Sequence, residues 1–126
     1  MAYSTISKST SYFNPVKYTG NGSSGRAVTS GFATDWVWIK NRGTTDDHVI
    51  FDILRGGTPY LYTNSSQAET TYSSQEVTFE STGVNVGSYQ SINQNSGNMI
   101  SYHWKAGGSG SANTDGSINS TVSVNT

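Results

Sequence analysis

Cysteine is absent from this chain of 126 residues, so it has neither a disulfide framework nor a thiolate metal site. Proline occurs only twice, and no apolar run approaches the roughly 20 residues that cross a bilayer as a helix. The first residues, MAYSTISKSTSYFNPV, lack the apolar core of a secretory signal peptide. We therefore expect synthesis and folding in a cytosol, with no membrane partner.

Charged residues are also few. They make up 12% of the chain, the formal net charge is −1, and no basic block is present. A surface that binds nucleic acid needs clustered Lys and Arg to displace counterions. Nucleic acid is therefore not an expected partner.

Aromatic and small polar residues are abundant instead. Phe, Trp and Tyr reach 12%, and Ser, Thr, Asn and Gly make up about half of the chain. This mixture is typical of β-rich domains that face the outside, and its aromatic content argues against disorder. A virion protein would combine this surface with cytosolic synthesis, because it folds inside a host cell and is exposed only after lysis.

Alternation of apolar and polar residues predicts strands along most of the chain. In TDWVWIKN (34–41), Trp36, Trp38 and Lys40 share one face. DHVIFDILR (47–55) is apolar on both faces, as expected for a central strand, whereas Pro15 restricts its own strand to a sheet edge or a strand start. Further strands are predicted at 13–20, 58–64, 75–82, 82–88 and 97–107. Short strands separated by Gly, Asn and Ser predict an all-β fold, an antiparallel β-sandwich or jelly roll.

The two ends of the chain differ from its centre. We expect an N-terminal arm at 1–11, a β-sandwich domain at 12–106 and a Gly/Ser linker at 107–116. Residues 117–126 follow as a C-terminal strand that joins its own sheet or that of a neighbouring subunit. The apolar face of this predicted assembly strand consists of Ile118, Val122 and Val124.

Candidate reactive residues are few and scattered. Asp46 and Asp47 are adjacent, so in a strand they point to opposite faces and do not share a metal ion, and a turn role is the favoured interpretation. His48 and His103 have no third ligand at a metal-binding spacing. No nucleophile motif is present. We expect no catalytic residues, no metal and no cofactor, and hence a protein that is not an enzyme.

The aromatic residues allow two interpretations. One is core packing, which is predicted for Trp36, Trp38, Phe51, Phe79 and Trp104. The other is a glycan platform, because aromatic rings stack on the apolar faces of sugars while polar side chains bind the hydroxyls. The glycan-binding set predicted from local sequence is Tyr60, Tyr62, Arg55, Asn64 and Gln67.

The order of several short motifs resembles a group of bacteriophage virion surface and tail-fibre proteins. The matching stretches are VWIKNR (37–42), D-x-x-RG (52–56), F-x-S-x-G (79–83) with Gly87, and Y-x-W-K (102–105). The likeness extends from about residue 12 to the end of the chain. Such relatives are often several times longer, so we expect a small decoration protein, a subunit of a repeating assembly or a fragment of a fibre.

The resemblance implies a lectin-like β-sandwich of the jelly-roll or concanavalin-like kind and transfers no catalytic residue. We expect Arg42, Asp52 and Arg55 to form a polar network at strand ends, with Asp52 paired to one of the two arginines. The first functional hypothesis is a non-enzymatic structural protein of the virion surface, a capsid decoration or fibre subunit bound to copies of itself and to other virion proteins. The alternative is a carbohydrate-binding module for host-surface glycans.

Overall fold

A computed structural model describes residues 8–106 and the strand backbones of 111–113 and 120–122. Short strands dominate this part of the chain, and no helix in it is long and apolar enough to cross a membrane. A 3-10 turn at Ser9–Ser11 and the helix α1 (Gln90–Asn93) are the helical elements described. The strands are β1 (Phe13–Thr19), β2 (Arg26–Thr29), β3 (Trp36–Asn41), β4 (Val49–Asp52), β5 (Gly56–Tyr62), β6 (Thr70–Thr71), β7 (Val77–Glu80), β8 (Gly83–Val86), β9 (Asn98–Trp104), β10 (Ser111–Asn113) and β11 (Ser120–Val122).

The strands form two main antiparallel sheets. Within the described residues, the large sheet has the order β1-β9-β3-β4-β5-β6 and the small sheet the order β2-β8-β7. All neighbouring strands are antiparallel, which confirms the predicted antiparallel β-sandwich. β1 ends the large sheet and contains Pro15, so the predicted edge position of this strand is confirmed.

The hydrophobic core lies between the two sheets. Val37 and Ile39 of β3 are fully buried on the large sheet, and Val77, Val84 and Val86 face them from the small sheet. Because side chains alternate along a strand, each core residue has neighbours that point away from the core. The large sheet therefore has a second face, outside the sandwich.

Gly57 marks a close approach between the sheets. A Cβ atom at this position would lie 1.5 Å from the carbonyl oxygen of Val77, and the Glu76 N–H donates a 3.0 Å hydrogen bond to the Gly57 carbonyl. β5 of the large sheet thus contacts the start of β7 backbone to backbone. Only glycine fits at this position.

Outside the sandwich, β10 and β11 pair with each other as a separate two-stranded sheet, which we call the tail ladder. A strand was predicted within 117–126, and β11 lies there. Its hydrogen-bonded partner, β10, lies inside the stretch that was interpreted as a linker. Ile118 and Val124 of the predicted assembly strand, residues 1–7 of the arm and the Val122 side chain are outside the described residues.

Candidate functional site

The outer face of the large sheet carries a layer of aromatic rings, which we call the aromatic face. β3 has the burial pattern of alternate half-buried and buried residues, and its half-buried positions are Trp36, Trp38 and Lys40. In β9 the half-buried positions are Ile100, Tyr102 and Trp104. The rings of the aromatic face are Phe13, Trp36, Trp38, Tyr102 and Trp104.

Strand register brings these rings together. Trp104 is opposite Phe13 in β1 and opposite Trp36 in β3, and Tyr102 is opposite Trp38 in the same way. Neighbouring strands are about 4.8 Å apart, so paired residues place their rings in contact. The sequence distance between Trp36 and Trp104 hides this neighbourhood.

The ring geometry is that of a continuous layer. The Trp36 and Trp104 rings meet edge to face with centroids 4.3 Å apart, and Phe13 lies 4.7 Å from Trp104. Trp38 and Tyr102 stack at 5.2 Å with an interplanar angle of 27°. Phe13 is 36% exposed and the other rings are half-buried, so the layer has one side on the sheet and one side open among the described residues.

The prediction that Trp36, Trp38 and Trp104 are core residues is wrong. They alternate with Val37, Ile39 and His103, which are the fully buried residues, and therefore lie on the opposite face of the same strands. Phe51 is fully buried in the core, and Phe79 is partly buried against it.

The predicted platform of Tyr60 and Tyr62 is also wrong. Tyr60 is only 3% exposed, stacks on Tyr72 with centroids 4.2 Å apart and shares a 3.0 Å hydrogen bond with the Tyr62 hydroxyl. Burial raises the pKa of the Tyr60 hydroxyl. The two tyrosines do share a face, as predicted, but that face points into the sandwich, and Leu61 points outward.

The other members of the predicted glycan set do not form one surface. Asn64 accepts a hydrogen bond from the His48 backbone N–H at 3.0 Å and donates to Asp47 at 3.1 Å, so it closes a loop. Gln67 is exposed, and its backbone N–H donates to Ser65 Oγ at 3.2 Å. Arg55 belongs to a different cluster.

That cluster is a polar network at the end of β4. Asp52 accepts hydrogen bonds from Arg55 Nε at 2.6 Å and from the Arg55 backbone N–H at 2.9 Å, and Arg55 Nη1 bonds Glu69 at 2.9 Å. Partial burial works to raise the pKa of the Asp52 carboxyl, but the hydrogen bonds and charge of Arg55 outweigh it and hold that pKa below its usual value.

Arg42 is not in this network, contrary to prediction. Asp52 is level with Trp36 in the sheet register, whereas Arg42 follows the opposite end of β3. Six residues of strand span about 20 Å, which separates the two groups. The network holds the turn between β4 and β5, where Gly56 adopts a φ of 86° that other residues rarely take.

His103, a titratable residue outside this network, is held inside the fold by two hydroxyl groups. His103 lies in the core, with Nε2 2.8 Å from Ser101 Oγ and Nδ1 3.0 Å from Thr34 Oγ1. Desolvation lowers its pKa to about 4. This Ser–His pair is fully buried, so no substrate reaches it.

Asp46 and Asp47 take part in loop contacts. Asp46 accepts a 2.6 Å hydrogen bond from Thr44 Oγ1, and Asp47 accepts one from Asn64. Among residues 8–106, His, Asp and Glu side chains form no group of three that could hold a metal ion.

The aromatic face could have been found in the sequence. Tyr102 and Trp104 have the same two-residue spacing as Trp36 and Trp38, which puts each pair on one face of a strand. What the sequence does not reveal is which face becomes the core, because both faces of β3 are apolar. Phe13 has no local signal at all.

The described fold and face define a β-sandwich whose large sheet carries an external aromatic layer. Residues 8–126 match the family described as "Domain of unknown function (DUF7483)", and the chain belongs to this family. Searches of curated proteins and of solved structures return no match.

Proposed function

We propose that this chain is a non-enzymatic surface module of a bacteriophage particle that binds host-surface carbohydrate through its aromatic face. The observation that carries the proposal is the layer of rings on β1, β9 and β3, which is anchored on one side and open on the other among the described residues. The phage setting is supported by the order of the motifs in the sequence, and the lectin-like jelly-roll class is part of the same proposal.

The chemistry of the face suits a sugar chain. Pyranose rings have apolar C–H faces that stack on aromatic side chains, and their hydroxyls need polar groups next to those rings. Lys40 and His48 supply such groups at one border of the layer. The rings sit on strands, so binding immobilises few additional rotamers.

The positions of the titratable groups favour binding over catalysis. Asp52 is held by Arg55, and His103 is enclosed in the core with two hydroxyl partners. An acid–base pair needs groups that reach a substrate. Each of these side chains has a structural partner instead.

The test is a screen of the full chain on an array of bacterial surface polysaccharides, followed by calorimetry of the glycans retained. We expect Trp36→Ala to weaken binding about fivefold, since stacking contributes about 1 kcal/mol per ring. The matched variant Trp36→Phe keeps a ring at the same position and retains most of the affinity. Circular dichroism melting of both variants separates loss of binding from loss of fold.

Two results would overturn the proposal. One is a chain that binds no glycan on the array, or that binds equally well with Trp36→Ala. The other is a wild-type dimer that Trp36→Ala converts to a monomer, because the aromatic face would then be a contact between copies.

A second candidate function is assembly of virion subunits through the tail. The tail ladder pairs with neither main sheet among the described residues, and an isolated two-stranded pair is only marginally stable in water. Such a pair gains stability by packing on another surface. This favours a structural subunit that self-associates through its termini, a role compatible with glycan binding.

A further inference from the structure

A depression lies at the end of the aromatic face, next to the last residues of β3. Its volume is about 320 Å³. We call it the basic pocket, and its lining residues are Trp38, Lys40, Arg42, His48, Ile100 and Tyr102.

The floor of the basic pocket is aromatic. Trp38 and Tyr102 stack with centroids 5.2 Å apart and an interplanar angle of 27°, so the two rings pack together as one apolar unit that lines the pocket. The His48 ring lies 6.0 Å from Trp38 and adds a wall. The apolar face of one sugar ring can pack against these aromatic side chains.

Lys40 is held beside this floor by backbone carbonyls. Its ammonium donates to the oxygen of Thr44 at 3.0 Å and to the oxygen of Asp46 at 2.9 Å. An ammonium has three N–H donors, and within residues 8–106 these carbonyls are its partners. One donor and the full charge remain for a ligand.

Arg42 adds a second positive charge. It is exposed, and the ion pairs of the described residues are those of Arg55 with Asp52 and with Glu69. Neither Lys40 nor Arg42 is neutralised by a carboxylate in this part of the chain. Lys17 lies one strand further on the same face, opposite Ile100 in the register.

The acidic residues nearest to the pocket are engaged elsewhere. The Asp46 carboxylate accepts hydrogen bonds from Thr44 and from Gln90 of α1. The Asp47 carboxylate accepts one from Asn64. These neutral donors orient the two carboxylates without removing their charge, but neither aspartate lines the pocket, whose charged lining residues are Lys40 and Arg42.

We propose that the basic pocket binds the acid group of a negatively charged sugar residue, a carboxylated or sulfated unit of a surface polysaccharide. The sugar ring lies on Trp38 and Tyr102, and Arg42 and Lys40 bind the acid oxygens. Arginine suits this role because its planar fork matches carboxylate and sulfate geometry. The inference rests on the proposed glycan-binding function and specifies the class of glycan.

The experiment compares acidic and neutral glycans on one array with the full chain and three variants. We expect the retained glycans to be acidic, and we expect Arg42→Gln to weaken their binding about tenfold. Arg42→Lys keeps the charge and retains part of the affinity. Lys8→Gln removes an exposed charge outside the pocket and leaves binding unchanged. Added salt weakens the binding, because a partly exposed charge pair is screened.

Glycans from which the acid group is removed distinguish the two acid classes. Carboxyl reduction abolishes binding if a uronic acid is recognised, and desulfation abolishes it if a sulfate ester is recognised. Retention of neutral glycans that depends on Trp36 but not on Arg42 would overturn this inference and leave the proposed function standing. Absence of any glycan binding would overturn both.

Discussion

At the residue scale, the most unusual group is the His103 imidazole in the core. It is fully buried, and both of its ring nitrogens are hydrogen-bonded to hydroxyl groups. One of these hydroxyls, Thr34 Oγ1, is also hydrogen-bonded to Ser30 Oγ at 3.1 Å. A neutral ring is fully satisfied there, whereas a protonated ring would bring a charge into the core without a carboxylate partner. Burial therefore keeps His103 neutral.

This position predicts a loss of stability in acid. The pKa of His103 is about 4 in the folded protein, whereas an unfolded histidine titrates near 6.5. Between these values the unfolded chain binds more protons, so the free energy of unfolding falls as the pH drops from about 6.5 to about 4. The contribution of this one group is about 3 kcal/mol, measured by urea unfolding across that pH range.

A direct check is the titration of the imidazole by NMR. The chain has two histidines, and His48→Gln leaves His103 as the remaining signal. We expect its midpoint near pH 4. A midpoint near 6.5 in that variant would contradict the buried, uncharged position.

At the element scale, the contact of β5 with β7 predicts an intolerant glycine. In Gly57→Ala the new methyl would overlap the Val77 carbonyl, and backbone atoms on both sheets would have to move. We expect a loss of about 3 kcal/mol or more in the free energy of unfolding.

The control for this variant is Gly43→Ala. At Gly43 the nearest atom to a new methyl is Asn41 Oδ1 at 3.6 Å, an ordinary contact. Its effect should stay within about 0.5 kcal/mol. Equal stability of the two variants would show that the sheets are not in backbone contact at Gly57.

The turn between β4 and β5 depends on Asp52. Asp52→Ala removes the acceptor of the Arg55 backbone and guanidinium bonds, and we expect a loss of about 2 kcal/mol. Glu69→Ala removes an exposed partner of the same arginine and should cost less than about 1 kcal/mol. Urea unfolding monitored by tryptophan fluorescence measures the stability of both variants. A wild-type unfolding midpoint for Asp52→Ala would refute the role of Asp52 in stabilising this turn.

Strand positions could be predicted from sequence, because the period of two is a local property of β3, β4 and β9. The identity of the core face could not. Trp36 and Trp38 make one face of β3 apolar, and Val37 and Ile39 make the other face apolar as well, so local hydrophobicity does not select the core face. The choice is made by distant residues of the small sheet, such as Val84 and Val86.

The burial of Tyr60, a residue of the predicted glycan platform, was also not predictable from local sequence. Its burial depends on Tyr72 and on Tyr89 near α1, with ring centroids at 4.2 and 6.3 Å. Nothing near residue 60 in the sequence signals these contacts. In contrast, the pairing of Asp52 with Arg55 is local, and the sequence proposed it as one of two options.

At the scale of the whole molecule, the open question is association. If the tail joins subunits, light scattering gives a mass above that of one chain, and Val122→Asp in β11 reduces it to the monomer mass. The matched control is Thr121→Asp at the adjacent residue, which the sequence pattern does not include in the predicted apolar face of Ile118, Val122 and Val124. A monomeric wild-type chain across a concentration series would exclude self-assembly through the tail.

The alternation along β3 also separates two kinds of evolutionary constraint. Residues 37 and 39 are fixed by packing, whereas 36, 38 and 40 can change with little effect on the interior. A lineage could therefore alter what the exposed surface recognises while the scaffold persists. If the aromatic face binds host glycans as proposed, we expect rapid divergence at the even-numbered positions of this strand next to conserved odd-numbered ones.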